Sequence, residues 1–298
     1  MIYDIRHDAF RSVIDETAQL STIAGGFTVT EGLVWDRHKG CLFFSDIPAS
    51  TIWQWSPDGG LTPLRRPSNL TNGNTLDLQG RLLSCEHATS AVTRIEEGGR
   101  YVVVLADRYG EAEFNSPNDI VSDSRGRIWF TDPPYGRTSP SVGLIRDLPQ
   151  TVRGVYRLDP DGSLARVVDD FEMPNGLCFL PGEDVLLVND TTRMHIRRFD
   201  VAADGSLTGG AELTVITGEG DGKPDGMKAD TEGRIYCTGP GGVHVLSGDG
   251  TLLGVIRMPE HCRNFCFGGP GFRTMFFGCS SAILRLEVKA QGLAPPEG

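Results

Sequence analysis

The chain has 298 residues, of which 39% are hydrophobic and 22% charged. That is the composition of a globular protein with a sizeable core, not of a disordered chain. Lys and Arg number 28 against 39 Asp and Glu, and the net charge of −11 argues against the basic footprint that nucleic acid or an anionic membrane surface requires.

The N-terminal segment "MIYDIRHDAFRSVIDETAQL" has no basic stretch followed by an apolar core, so it reads as a lead-in arm over residues 1–20. No run approaches 18 continuous apolar residues, and a cytoplasmic chain is the expectation. The next stretch, "STIAGGFTVT", has the alternation of a strand, and is expected to supply an outer strand that closes a ring against the last repeat. Seven cysteines, an odd number, are spread through apolar stretches such as "GLCFL" and "RIYCTG". They read as small buried hydrophobes in a reducing compartment. Cys262 and Cys266 lack the second ligand pair of a zinc site.

From Glu31 onward one pattern recurs. The copies are "EGLVWDRHKGCLFFSD", "NGNTLDLQGRLLSCEH", "NDIVSDSRGRIWFTDP", "NGLCFLPGEDVLLVND", "DGMKADTEGRIYCTGP" and the degenerate "NFCFGGPGFRTMFFGC". They begin at Glu31, Asn72, Asn118, Asn175, Asp225 and Asn264, at intervals of 41, 46, 57, 50 and 39 residues. Five residues after the start, four copies carry Asp: Asp36, Asp77, Asp123 and Asp230. A Gly-containing turn and a short apolar strand follow, and most copies continue into a second hairpin marked by Asp-Gly. Four short strands and their turns need roughly 40–50 residues, which is one propeller blade. The reading is an all-β fold, a single six-bladed β-propeller domain over 1–298 with blade starts near 31, 72, 118, 175, 225 and 264.

The longest interval holds "DPPYGRTSPSVGLIRDLPQTVRG". Insertions in repeat folds collect on one face, often the binding face, so this segment is expected to form a lid or rim. Asp132 and Tyr135 at its start are candidate pocket residues, as is His87 just after the second strand of the second repeat. His195 reads instead as an outer-blade residue, and the Trp53–Trp55 pair as inter-blade packing rather than a sugar platform.

The first strand of a blade lies innermost, so the six starting residues form a ring at one end of a central channel. Four are followed by Gly (Gly32, Gly73, Gly176 and Gly226), which lets backbones crowd together near the axis. Two carboxylates and four amides converging there would repel or stay unpaired without a cation. These hard oxygen ligands suit one divalent ion, with Ca²⁺ the first choice and Mg, Mn, Zn or Fe as alternatives. Asn72 and Asn118 are candidate substrate contacts.

At these residues the chain resembles the gluconolactonase/regucalcin (senescence-marker protein) superfamily. "EGLVWD", "SPNDIVSD", "WFTDPPYG", "PNGLCF" and "KPDGMKADTEGRIYCTGPGGVHV" carry the likeness, and "TDPPYG" with "SCEH" points to its bacterial gluconolactonase-like branch. The resemblance implies a metal-dependent hydrolase that opens sugar lactones to aldonic acids. The cation would lie on Glu31, Asn118, Asn175 and Asp225, with Asp225 as general base or nucleophile. Animal members carry Arg where this chain has Ser116, so their sugar preference does not transfer. The alternatives are a phosphotriesterase resembling diisopropylfluorophosphatase, which shares the ring, and a non-catalytic binding propeller. No GxSxG motif or Ser-His-Asp order is legible. The partner expected is a small lactone.

Overall fold

A computed structural model describes residues 2–96 and 101–298. The protein is a six-bladed β-propeller. Blade 1 is the antiparallel meander Thr30–Asp36, Cys41–Asp46, Thr51–Ser56 and Gly60–Arg65. Blade 2 runs Thr71–Leu76, Leu82–Glu86, Ala91–Ile95 and Val102–Ala106, and blade 3 runs Ile120–Ser122, Ile128–Thr131, Val155–Leu158 and Leu164–Val168. Blade 4 comprises Pro174–Phe179, Val185–Asp190, His195–Val201 and Leu207–Val215. Blade 5 comprises Met227–Ala229, Ile235–Gly239, Gly242–Leu246 and Leu252–Arg257. In blade 6, Cys262–Gly268, Thr274–Cys279 and Ala282–Glu287 are joined by the N-terminal strand Ser21–Gly25, which pairs Ser21 with Arg285 and Gly25 with Ala282. The outer strand expected from "STIAGGFTVT" is therefore present.

The first twenty residues do more than lead in. Tyr3–Ile5 adds a fifth strand to blade 5, pairing Tyr3 with Ile256, and a 3-10 turn at Asp8–Ser12 buries Phe10. This covers the sheet edge that Leu252–Arg257 would otherwise expose.

By backbone contacts the chain divides into two compact units. One holds the chain up to Thr30 with Gly176–Ala294; the other holds Glu31–Asn175 with Pro295–Gly298. In the second unit a core between blades 2 and 3 is built on Leu83, Val92, Phe114, Ile120, Phe130 and Tyr156. Phe130 and Tyr156 stack at 5.3 Å, and Phe114 sits edge-on to both. In the first unit Cys178, Leu187, Ile196, Met227, Ile235 and Cys237 form the equivalent layer between blades 4 and 5. All seven cysteines are buried and unbridged; Cys85 fills the first of these layers and Cys178 and Cys237 the second, as small hydrophobes. Trp55 is buried and Trp53 half-buried on the third strand of blade 1, opposite Leu42 and Phe44.

The recurring aspartate explains itself in the turn between the first two strands. Asp123 Oδ1 accepts the backbone N–H groups of Arg125 and Arg127, both at 3.0 Å, while Oδ2 takes Arg127 Nε at 2.5 Å and Trp129 Nε1 at 2.9 Å. Asp230 repeats the arrangement with Glu232, Arg234 and the Tyr236 hydroxyl. Asp36 and Asp77 do the same with Lys39 and Arg81. A short carboxylate that caps two amides and holds the following cation closes a tight turn that no apolar residue could satisfy.

This yields a stability expectation. Asp123 and Arg127 are both buried, so Asp123→Ala strands a guanidinium, an indole N–H and two amides. It should cost about 3–5 kcal/mol by urea denaturation. A loss under about 1 kcal/mol, the worth of an exposed pair, would show that the turn does not depend on it.

Candidate functional site

The blade starts are held by a device repeated within each unit. Near the end of the second strand of a blade stands a small polar residue whose side chain reaches the backbone carbonyl at the start of the next blade. Ser45 Oγ donates to Asn72 O at 2.9 Å, and Thr131 Oγ1 donates to Asn175 O at 2.9 Å. Asn189 Nδ2 donates to Asp225 O at 2.7 Å, and Thr238 Oγ1 lies 3.4 Å from Arg263 O, one residue before Asn264. Blade 2 departs from this: Ser84 Oγ turns inward to Asn74 Oδ1 at 2.7 Å, and Asn118 O is taken instead by the Gly73 amide at 2.9 Å. The repeat pattern alone assigns these side chains no role. Their signal is visible in "LFFSD", "IWFTD", "LLVND" and "IYCTG", a polar residue in phase within an otherwise apolar strand.

The glycines after the blade starts have the purpose expected of them. A methyl group on Gly32 would overlap Asn72 O, and one on Gly73 would overlap Asn118 O. One on Gly176 would overlap Asp225 O, and one on Gly226 would meet Asn264 Oδ1 at 2.6 Å. At these four places the inner strand lies directly against the next blade start, and only glycine admits that approach.

In the second unit, Glu31, Asn72, Asn118 and Asn175 are all buried, at 3–5% exposure. Glu31 Oε2 lies 3.1 Å from the Gly32 amide. The Asn118 amide donates to Thr131 O at 2.8 Å. In the first unit Asn264 is buried, and its Oδ1 accepts the Phe265 amide at 2.8 Å. Asp225 is half-buried and so differs from the other five blade starts. Among the described residues no three His, Cys, Asp or Glu side chains form a metal-holding cluster, so a cation here would need amide oxygens beside its carboxylates. Glu31 with Asn118 and Asn175 is such a donor set: one buried carboxylate and two buried amides, the hard oxygens that Ca²⁺ or Mg²⁺ takes. By residue type and burial these donors suit such an ion.

His87 is fully buried. Its Nε2 lies 3.2 Å from Asn72 Nδ2 and its Nδ1 lies 2.9 Å from Val142 O, in the blade 3 insertion. Burial pushes the imidazole down to about 4, aided by the nearby Arg146 guanidinium and opposed by the Val142 carbonyl, so the ring is neutral at ordinary pH. The preceding Glu86 is occupied by Arg65, Asn69, Thr89 and Thr93.

Asp132 is also fully buried and accepts the amides of Asn115 at 2.9 Å and Ser116 at 2.7 Å. Burial pushes its carboxyl up to about 7, against those two donors, which favour the ionised form. Ser116 Oγ donates to Pro133 O and accepts the Gly136 amide at 2.9 Å. Asp132 and Ser116 together therefore fix the chain just before Asn118. Tyr135 is half-buried at the start of the short helix Tyr135–Thr138. His195 lies on the third strand of blade 4 with Nδ1 2.8 Å from Glu212, an outer position as expected.

The insertion is pinned rather than loose. Buried Arg137 donates to Asn115 O at 2.6 Å and to Ser90 Oγ, and pairs with Glu113. Arg146 donates to His87 O at 2.7 Å, and Gln150 links Glu113 O to the Tyr156 hydroxyl. A separate cavity of about 210 Å³ lies at the other end of the blade 1 and 2 inner strands. The C-terminal residues seat there, with Arg37 and His38 both on Glu297 and the Gly298 amide on Leu78 O.

Two substitutions test the blade-start device. Gly73→Ala should destabilise the protein by about 1–3 kcal/mol or more through overlap with the Asn118 carbonyl. Thr131→Val, which leaves Asn175 O and the Asp119 amide without the hydroxyl they share, should cost about 1–3 kcal/mol. Denaturant midpoints within error of the parent for both would mean that blade starts are not held this way.

The model of the SMP-30/Gluconolactonase/LRE-like region matches residues 29–281. A gluconolactonase of Zymomonas mobilis is 30% identical, the match covering 94% of this chain and 84% of that protein. A pentonolactonase of Haloferax volcanii is 26% identical, over 88% and 91%. The solved gluconolactonase structure from Xanthomonas campestris superposes with a TM-score of 0.89 at 34% identity, covering 96% of this chain and 94% of that one. A match over 29–281 that takes in the blade starts from Glu31 to Asn264 places this chain in the SMP-30/gluconolactonase/LRE-like family.

Proposed function

We propose that this protein is a lactonase that opens sugar lactones to aldonic acids with the help of one divalent cation. The observation that carries the reading is the coincidence of two facts. Lactonases are similar to this chain over nearly its whole length, and its blade starts bury hard oxygen donors. Glu31, Asn118 and Asn175 are the residues of the second unit that would hold the cation, and Asp225 is proposed as its further carboxylate on the strength of its place in the repeat. The cation, Ca²⁺ by first preference, would supply Lewis acidity toward the lactone carbonyl.

The protein's own groups supply the rest. Asp225, the half-buried blade start, takes a proton from water as the water oxygen bonds to the carbonyl carbon. The ring C–O bond then breaks, and the departing ring oxygen takes up a proton. One lactone and one water become one hydroxy acid. Direct attack by the Asp225 carboxylate is the other route open to the same residue. Asn72 and Asn118 orient the substrate through its hydroxyls.

A substrate panel tests the reading: acid release from aldonolactones against fluoride release from a fluorophosphate, with metal-stripped and refilled protein. Acid release that depends on added cation is expected; fluoride release alone would replace the reading with a phosphotriesterase. Asp225→Asn should lower lactone turnover at least about 10²-fold at saturating cation. Near-parent turnover with metal retained would move the base elsewhere. Glu31→Gln should weaken cation binding measured by titration, with activity partly returning at high cation. Unchanged affinity would remove Glu31 from the donor set.

A further inference from the structure

We infer that His87 is a positioning residue: it sets which end of the Asn72 side-chain amide faces away from it, and the blade 3 insertion dictates that setting. The inference rests on the reading that blade starts form the lactone site.

The argument is one of donors and acceptors. A neutral imidazole has one N–H and one lone pair. Val142 presents a carbonyl, which can only accept, 2.9 Å from Nδ1. The proton must therefore be on Nδ1, which leaves Nε2 as an acceptor. Asn72 stands 3.2 Å from Nε2 and has to offer its NH₂ end. The flipped amide would set Oδ1 against the Nε2 lone pair, two acceptors face to face in a buried place, an arrangement that costs the full desolvation of both. Oδ1 is thereby turned away from His87, so Asn72 presents an acceptor there. It suits a substrate hydroxyl that donates, or a cation, and not a developing oxyanion.

The carbonyl that imposes this is itself held fast. Gly136 packs so closely on His87 that a methyl there would lie 2.7 Å from its Cβ and Cγ. The Leu144 amide donates to Gly136 O at 2.9 Å, and the Arg146 amide donates to Arg137 O at 3.1 Å. The Arg146 guanidinium reaches back to His87 O at 2.7 Å. Val142 lies between these ties. The insertion acts on the site through the polarity of one amide, relayed by one imidazole.

The tautomer is measurable without any substrate. With the full-length protein labelled at its six histidines, nitrogen NMR at neutral pH should show His87 protonated on Nδ1 and bare on Nε2, its signals identified by their loss in His87→Phe. A proton on Nε2, or a doubly protonated ring, overturns the inference. Kinetics supply a second measurement. His87→Phe fills the volume but lets the Asn72 amide turn. It should lower kcat/KM about 10-fold for a hydroxylated lactone, chiefly through KM, and much less for a lactone without hydroxyl substituents. His87→Gln, which can offer both an acceptor and a donor, should recover part of the loss. No loss, or equal losses on both lactones, overturns the inference. If the parent protein opens neither lactone, the proposed function fails, and the NMR result still decides the tautomer.

Discussion

The structure depends on how closely the blade starts approach one another within each unit. At Gly32, Gly73, Gly176 and Gly226 the backbone runs so near the next blade that there is no room for a Cβ. Such an approach brings carbonyls into a crowded, buried place, where each must be satisfied. The fold answers with a hydroxyl or amide from the preceding blade's second strand, as with Ser45 on Asn72 and Asn189 on Asp225. Glycine at one place and a small polar residue in an apolar strand at another are two halves of the same requirement.

This arrangement divides the labour along each inner strand. At the start of the strand the backbone carbonyls are committed to the fold, and blades differ by their side chains: Glu31, the asparagines, and Asp225. At the far end four of the blades are alike, because the recurring aspartates Asp36, Asp77, Asp123 and Asp230 do the same work in their turns, holding two amides and a following cation. Chemistry can therefore vary at one end without disturbing closure of the turn at the other. The glycines after the blade starts, the polar staples and the aspartate turns belong to the scaffold, whereas Glu31 and Asp225 stand out as the carboxylates among the blade starts.

The insertion between the second and third strands of blade 3 adds a further layer. Its Pro, Gly and Arg content suggested a rim, and nothing in that composition disclosed how it is held. Arg137 is buried within it and serves Asn115, Ser90 and Glu113 at once. Asp132, a candidate pocket residue by sequence, fixes the backbone before Asn118 through two amides. His87, read from sequence as a possible mouth residue, spends both ring nitrogens on protein groups. Polar residues near a site can thus act on it through their neighbours rather than by touching what binds.

The sequence by itself determined the six-fold repeat, the phase of Glu31, Asn72, Asn118, Asn175, Asp225 and Asn264, and the closing strand supplied by Ser21–Gly25. Each of these rests on local signals: Asp-Gly turns, short alternating strands and a fixed spacing, all written in consecutive residues. The tertiary structure alone decided which side chains meet across blades. Thr131 and Asn175 are 44 residues apart, and His87 and Val142 are 55 apart. No local pattern encodes such pairs, because a propensity describes a residue's own backbone and not the donor that will arrive opposite it. The N-terminal strand Tyr3–Ile5 was hidden for the same reason. Its place on blade 5 follows from the edge of Leu252–Arg257, some 250 residues away, which only the closed fold brings within hydrogen-bonding reach.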